Sequence, residues 1–325
     1  MEAQTITIIG LSRIGASLGL AVKQNLDMKV VGYDEIEMNA RQAFQEMGAV
    51  DQLAADLKSA AAKADILVLT TPVSLLEESL RTIGDVIQSH TLILDLSKLK
   101  ELGLKWARQY LQRGHYIGAV PILAANWLDD GRTTPQAATP DLFHNSLFAI
   151  MASAEVDPEA VNTAVNFGHV IGATPYFIDA AEYDRLIQGT DTLSALTAVA
   201  LFKALHKSQS WQDMLRMSGT SFSLATQPLT QHEDINFMVL NDKVTTLHWL
   251  EALMNELSEL RRIIYESEPE VVTAVIEQIS SERDRWLLKR QDNEWEEHSG
   301  PDFDRPSMMG HLLGGFSLRQ DKKDD

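Results

Sequence analysis

Residues 5–34 read TITIIGLSRIGASLGLAVKQNLDMKVVGYD, and this stretch decides the fold. A β-branched run at its start is followed by a glycine-containing turn and then by apolar residues at helical spacing. A second β-rich run, Val30–Tyr33, ends at an acid, Asp34. Strand, glycine turn, helix, strand and acid follow one another in the order of a dinucleotide-binding βαβ unit.

The turn itself, GLSRIG, carries two of the three glycines of the dinucleotide fingerprint. Gly10 and Gly15 occupy the first and third positions, which serve the tight turn and the close packing of helix on strand. Ser12 stands at the second, where a small residue still lets the backbone approach the pyrophosphate. We therefore expect the cofactor to contact the whole turn, which consists of Gly10, Leu11, Ser12, Arg13, Ile14 and Gly15.

Asp34 lies where a carboxylate would accept hydrogen bonds from the adenosine ribose, so NAD is preferred over NADP, whose 2′-phosphate would face like charge. Arg13 complicates this, because it could reach a phosphate or stack on adenine. The alternative is that Arg13 is a solvated residue at a helix start and that Asp34 merely ends a strand.

Further strands alternate with helices, among them helices expected over residues 36–47 and 52–63. This alternation predicts a Rossmann-type, doubly wound parallel sheet over residues 1–180. The strand DILVLT ends in Thr70, Thr71 and Pro72, which we expect to touch the nicotinamide ribose unless they only stop the strand. A loop, 121–143, is long enough to be a lid, although a plain surface loop explains it equally well.

From about residue 181 to 290 the pattern is helical only. We expect one long helix from near Glu233 to Ile264, whose apolar stripe favours an all-α substrate and dimerisation domain and hence a homodimer. The tail, 291–325, carries a short apolar cluster that is expected to dock on the body or on a partner subunit.

Composition excludes several classes of protein. The 325 residues include 28 Lys+Arg and 46 Asp+Glu, a net charge of −18 that disfavours nucleic acid and membrane surfaces as partners. There is no cysteine, no signal-peptide pattern and no histidine spacing typical of a metal site, so we expect a cytoplasmic protein without a metal. A small-molecule substrate fits this balance best.

Several segments resemble, in order, the motifs of prephenate and arogenate dehydrogenases. In the first hundred residues they are ITIIGLSRIGASLGLAVK, VVGYDE, ADILVLTTPV and LILDLSKLK. Farther along, EYDRLIQGTDTLSALTAVAL (182–201) and SGTSFSLATQPL (218–229) resemble two helical landmarks of that family. The resemblance covers roughly residues 4–265 and implies an oxidoreductase of tyrosine biosynthesis, dimeric through its helical domain.

The resemblance also implies a chemistry. In that family a hydride leaves a ring carbon bearing a hydroxyl, a histidine accepts the hydroxyl proton, and carbon dioxide departs as the ring becomes aromatic. An arginine of the helical domain holds a substrate carboxylate.

Matched position by position, this chain departs from the family's catalytic set. Val120 falls on the proton-accepting histidine and Phe222 on the arginine. The family's His-Asp pair corresponds to Tyr183-Asp184, and two further histidines correspond to Thr192 and Ala195.

The remaining candidates for chemistry follow the strand that ends at Asp95. Lys98 could act as a general base if its pKa were depressed, and Ser97 could hydrogen-bond a substrate. Each residue also has an explanation that involves no chemistry: Lys98 could be a solvated surface lysine, and Ser97 could cap the following turn.

Two other functions stay open. One is a reductase or dehydrogenase acting on a different small anionic substrate, which a polar cleft retaining Ser97, Lys98 and Lys100 would favour. The other is a non-catalytic dinucleotide-binding homologue, which an apolar, closed site around Val120 and Phe222 would favour.

Overall fold

The computed structural model of the protein describes residues 4–128 and 131–292. Their centre is an eight-stranded sheet of order β3-β2-β1-β4-β5-β6-β7-β8. The strands are β1 Thr5–Ile9, β2 Lys29–Tyr33, β3 Gln52–Leu53, β4 Ile66–Leu69, β5 Leu92–Asp95, β6 His115–Ile122, β7 Leu147–Met151 and β8 Thr174–Phe177.

Helices connect and follow these strands. Those of the first half are α1 Arg13–Asn25, α2 Glu37–Arg41, α3 Leu57–Ala61, α4 Val73–Ile83, α5 Lys100–Tyr110 and α6 Pro158–Val170. Those of the second half are α7 Ala180–Ile187, α8 Leu193–His206, α9 Trp211–Met217, α10 Thr220–Thr226, α11 His232–Asn241, α12 Lys243–Glu266 and α13 Pro269–Asp292.

The first six strands run parallel in the order 3-2-1-4-5-6, which is the doubly wound arrangement. The side chains of β4 and β5 are buried throughout, as expected for strands covered by helices on both faces. The predicted fold class is therefore confirmed. The sheet differs from the prediction in one respect. Strand β7 is antiparallel to β6, with Val120 opposite Ala149, and β8 then runs parallel to β7.

Two predicted helices are wrong in detail. The segment 52–63 begins with β3, because its first residues pair with β2 before α3 starts. The single long helix expected from Glu233 to Ile264 is two helices, α11 and α12, interrupted at Asp242. That residue leaves the helical region (φ −133°, ψ 81°), and its carboxylate caps α12 by accepting the backbone N–H of Thr245 at 3.0 Å.

After β8, the described chain is helical to residue 292, as the periodicity predicted. The division into domains at residue 180 stays a prediction, and the expected docking of the tail falls on residues 293–325, outside the described part. No helix of the described chain is long and apolar enough to span a bilayer.

Candidate functional site

A cleft of about 830 Å³ runs along the carboxyl edge of the parallel strands. Its walls include the turn after β1, the ends of β2, β4, β5 and β6, and the first residues of α11. Asp34 lines one end, and Val120 and Tyr183 line the other. Ligands of open α/β sheets bind at this edge, where the strand order reverses between β1 and β4.

The glycine turn needs glycine at its first position. Gly10 has φ +91°, a backbone conformation that L side chains rarely adopt, and a Cβ there would lie 2.5 Å from the Thr70 hydroxyl. At Gly15 a Cβ would collide with the carbonyl oxygen of Gly10. Leu11 and Gly15 are buried beneath the turn, whereas Gly10, Ser12, Arg13 and Ile14 line the cleft.

Asp34 closes this turn at the end of β2. One carboxylate oxygen accepts the backbone N–H of Leu11 at 2.6 Å, and the other accepts that of Ile36 at 2.8 Å. Asp34 therefore does more than end a strand. The carboxylate holds the glycine turn in place and still faces the cleft.

Arg13 is not solvated, contrary to one of the two sequence-based alternatives. Its side chain is 5% exposed, its guanidinium donates to the Arg132 carbonyl at 3.1 Å, and it lies 5.7 Å from the centre of the Trp127 ring. The backbone N–H of Arg13 donates to the Thr133 carbonyl at 2.8 Å. Residues of the long loop thus pack against the start of α1.

The end of β4 contributes Thr70, Thr71 and Pro72, which all line the cleft. The Thr70 hydroxyl donates to the Gly10 carbonyl at 2.7 Å, so it ties β4 to the glycine turn. The Thr71 hydroxyl is buried and has no hydrogen-bond partner in the described chain. A buried hydroxyl without a partner at a cleft wall is a binding group that a ligand can satisfy.

Ser97 and Lys98 follow β5 and line the opposite end of the cleft. Ser97 is 3% exposed, and its hydroxyl is likewise without a partner among the described residues. The Lys98 ammonium lies 3.3 Å from a carboxylate oxygen of Asp191, which lines the same cleft. This end of the cleft is therefore polar, not closed off by apolar side chains.

Beneath Ser97 and Lys98 lies a buried ionic cluster. The Lys100 ammonium donates to the Asp95 carbonyl at 2.7 Å and to the Asp95 carboxylate at 3.3 Å, and Tyr116 donates to that carboxylate at 2.8 Å. Burial lowers the pKa of Lys100, against the attraction of Asp95, and raises the pKa of Tyr116. Lys100 is enclosed under the loop and does not reach the cleft, so its part is structural.

Asp184 fixes this loop from the helical region. Its carboxylate accepts the backbone N–H of Lys100 at 2.7 Å and of Glu101 at 2.9 Å, which caps the start of α5 from a helix more than 80 residues away in the chain. Burial raises the pKa of Asp184, although the two backbone donors oppose the shift. The carboxylate thereby joins α7 to the segment that presents Lys98.

The positions matched to the family's catalytic set are scattered. Val120 and Tyr183 line the cleft, and burial raises the pKa of Tyr183. Thr192 and Ala195 are buried in the helical region instead. Phe222 stacks on Phe202 with ring centres 5.9 Å apart, in an aromatic cluster of α8, α9 and α10.

Sequence reasoning missed the part of the cleft that α11 supplies. The Asp234 carboxylate accepts from the backbone N–H of Ser74 at 3.3 Å and from its hydroxyl at 3.2 Å, which binds the start of α11 to the start of α4. This contact brings His232 and Glu233 to the cleft wall. Asp191 was missed for the same reason, because nothing in the local sequence shows that residues so distant in the chain meet.

A dinucleotide fits these residues. The glycine turn leaves no room for a Cβ, the Asp34 carboxylate faces the cleft, and two buried hydroxyls, Thr71 and Ser97, lack partners in the described chain. Gly10, Ser12 and Ile14 would hold the pyrophosphate, Asp34 the adenosine ribose, and Thr71 and Pro72 the nicotinamide ribose.

Comparison with known proteins agrees with this geometry. Residues 18–176 match the family model described as the nucleotide-binding domain of prephenate dehydrogenase. The chain is 23% identical over 300 residues to a prephenate dehydrogenase of Bacillus subtilis strain 168, covering 88% of this chain and 77% of that protein. It is 22% identical over 263 residues to a cyclohexadienyl dehydrogenase of Zymomonas mobilis, covering 80% and 88% respectively.

Solved structures share the fold. A prephenate dehydrogenase from A. aeolicus, in complex with hydroxyphenyl propionate and NAD+, superposes with a TM-score of 0.71 at 16% identity and covers 88% of this chain and 99% of its own. An arogenate dehydrogenase from Synechocystis gives a TM-score of 0.63 at 19% identity, covering 87% and 100%.

Proposed function

We propose that this chain, which belongs to the prephenate dehydrogenase family, catalyses an NAD-linked oxidative decarboxylation of a cyclohexadienyl acid in tyrosine biosynthesis. The relatives are named for prephenate, arogenate and cyclohexadienyl substrates, and these define the substrate class to test.

One observation carries the proposal. The cleft is continuous from Asp34, at the expected adenosine end, to the polar group of Ser97, Lys98 and Asp191 at the other end. A dinucleotide held by the glycine turn would place its nicotinamide ring at that polar end, beside space for a second small molecule. A non-catalytic dinucleotide-binding protein has no need of an ion pair and a buried free hydroxyl there.

NAD is the proposed cofactor, in preference to NADP. Asp34 and Glu35 both line the adenosine end of the cleft, so a 2′-phosphate would face two carboxylates. When bound, the oxidised dinucleotide supplies the hydride acceptor. The chain's own residues orient it through the glycine turn, with Asp34 on the ribose and the buried Thr71 hydroxyl at the nicotinamide end.

Ser97 and Lys98 are the proposed residues on the substrate side. The Ser97 hydroxyl is buried and free to hydrogen-bond, and Lys98 supplies a cation for an anionic substrate. Both sit on a short loop braced by the buried Lys100–Asp95 pair and by Asp184, so their positions are well defined.

We also propose a homodimer formed through the helical region. Several large apolar side chains of α12 are exposed in the single chain, including Ile264 at 67%, Met254 at 59% and Leu257 at 56%. An exposed apolar face of this size is typical of a subunit interface. The cytoplasmic location is likewise a proposal that rests on the acidic, cysteine-free composition.

The test is cofactor reduction, followed by absorbance of the reduced nicotinamide, with NAD or NADP and with prephenate or arogenate at millimolar concentration. Turnover with NAD and either substrate is the expected result. Measurable NADH binding without turnover on either would refute the proposed reaction. The nucleotide site would then serve a different anionic substrate or a binding function, to be sought by substrate screening.

A further inference from the structure

The polar end of the cleft holds several groups able to exchange a proton, and their arrangement gives these groups different roles. We propose that Asp191 accepts the proton of the substrate's hydroxyl, and that Lys98 is the positioning residue that holds the Asp191 carboxylate. The inference rests on the proposed function, because it assigns roles within the same reaction.

Geometry singles out Asp191. It lies in the segment Gln188–Thr192, a π-helical turn between α7 and α8. Such turns insert an extra residue into a helix and are frequent at functional sites. Asp191 lines the cleft with its side chain 46% exposed, so solvent and substrate can reach it, and its carboxylate lies 3.3 Å from the Lys98 ammonium.

Lys98 is the less suitable base of the pair. An amine becomes a useful base when it is buried from water or placed beside another cation. Lys98 is 38% exposed and its neighbour is a carboxylate. Its three N–H donors can instead orient the Asp191 carboxylate and stabilise the carbonyl oxygen that forms.

A bound molecule is expected at this spot on independent grounds. Ser97 lines the same end of the cleft and is only 3% exposed. Its buried hydroxyl has no hydrogen-bond partner in the described chain. A substrate hydroxyl placed between Ser97 and Asp191 would satisfy it. Tyr183 lines the same wall, and because burial raises its pKa, its hydroxyl stays protonated: it can donate a hydrogen bond there but cannot accept the proton.

The reaction balances with these residues. The ring carbon's C–H bond breaks and its hydride passes to the bound oxidised dinucleotide, while the O–H proton passes to an Asp191 oxygen and the hydroxyl becomes a carbonyl. The ring's carboxylate then leaves as carbon dioxide. The electrons of the broken C–C bond make the ring aromatic, and the carbonyl oxygen takes the proton back from Asp191.

His232, on the rim contributed by α11, is the rival proton acceptor. It begins that helix, at the part of the cleft wall that the Asp234 carboxylate fixes to the start of α4. The experiment below therefore includes a His232→Gln variant, and it contains a readout that does not require turnover.

The first measurement is calorimetric binding of two probes to the full chain saturated with NAD+. The probes are 4-hydroxyphenylpropionate and 3-phenylpropionate, which differ only by the ring hydroxyl. Since a site built to hydrogen-bond a hydroxyl rejects the analogue that lacks it, wild type is expected to prefer the hydroxylated probe by about tenfold. Asp191→Asn should reduce this preference to about twofold or less, and Lys98→Met should reduce it partly, with recovery in Lys98→Arg.

Asp213→Asn is the matched control, because it breaks another 3.3 Å ion pair, to Arg216, on the exposed surface of α9. It should leave the preference unchanged. The inference is overturned if Asp191→Asn keeps the wild-type preference, if His232→Gln removes it instead, or if wild type does not discriminate between the probes.

Turnover provides the second measurement. In active wild type, Asp191→Asn should lower kcat by about 100-fold or more with KM changed less than about threefold, as expected for loss of a general base. A wild type that reduces no cofactor but shows the expected probe pattern would refute the proposed function and leave Asp191 only as the residue that binds the ring hydroxyl. An unchanged kcat in Asp191→Asn would overturn the assignment and leave the function standing.

Discussion

Replacing Lys100 by methionine tests how the loop that carries Lys98 is held. Lys100 and Asp95 are both fully buried, with the ammonium 2.7 Å from the Asp95 carbonyl and 3.3 Å from its carboxylate. Removal of the ammonium leaves the carboxylate buried, and among the residues that the structure describes its only remaining donors are Tyr116 and the backbone N–H of Ser97. Breaking one side of a buried ion pair costs about 3–5 kcal/mol, so we expect the free energy of unfolding to fall by that amount.

The double variant Lys100→Met/Asp95→Asn sharpens the argument, because it also removes the stranded charge. We expect it to be more stable than Lys100→Met alone, with a coupling free energy of about 2 kcal/mol. Urea unfolding followed by tryptophan fluorescence and by circular dichroism measures both variants, and an unchanged m-value shows that the midpoints report stability.

Lys105→Met is the control, since it removes an exposed lysine from the same helix and should change the free energy of unfolding by less than about 0.5 kcal/mol. The reasoning is refuted if Lys100→Met lies within about 1 kcal/mol of wild type. It is equally refuted if Asp95→Asn adds its full separate cost to that of Lys100→Met.

Further predictions concern the cofactor turn, the loop brace and the apolar face. Gly10→Ala should weaken NADH binding by about tenfold or more, measured by fluorescence titration, whereas Gly48→Ala, also at positive φ but with open space around it, should not. Asp34→Ser should weaken NADH binding by about tenfold and lower the ratio of NADH affinity to NADPH affinity. An unchanged ratio would contradict the role given to this carboxylate. Burial raises the folded-state pKa of Asp184 above the unfolded value of 3.8. Between pH 3.8 and that raised pKa, the folded protein binds more protons than the unfolded chain, so wild type should gain stability relative to Asp184→Asn as the pH falls through this interval. The opposite slope in urea unfolding at several pH values would show that the backbone donors outweigh burial. Leu257→Glu should convert the proposed dimer to monomer in sedimentation velocity, and a wild type that sediments as a monomer would remove the basis of that prediction.

Much of the nucleotide-binding half follows from local sequence. The apolar run of β1, the glycines at 10 and 15 and the acid at 34 lie within one βαβ unit, so pattern and spacing alone place them together. The antiparallel β7 was not foreseen, because strand direction depends on how the long loop returns to the sheet and leaves no periodic trace. The break at Asp242 was missed because the apolar stripe of α11 and α12 keeps helical spacing across it.

The sequence by itself determined the Rossmann-type sheet, the glycine turn and the acidic end of the cofactor cleft, because each depends on residues near one another in the chain. Only the tertiary structure decided which side chains meet at the end of the cleft opposite Asp34. Lys98 and Asp191 are 93 positions apart, Asp184 caps a helix from 84 positions away, and Asp234 reaches Ser74 across 160. Such pairs form because burial of the helical region against the sheet aligns them, and a backbone amide or ammonium that loses water there must find a carboxylate.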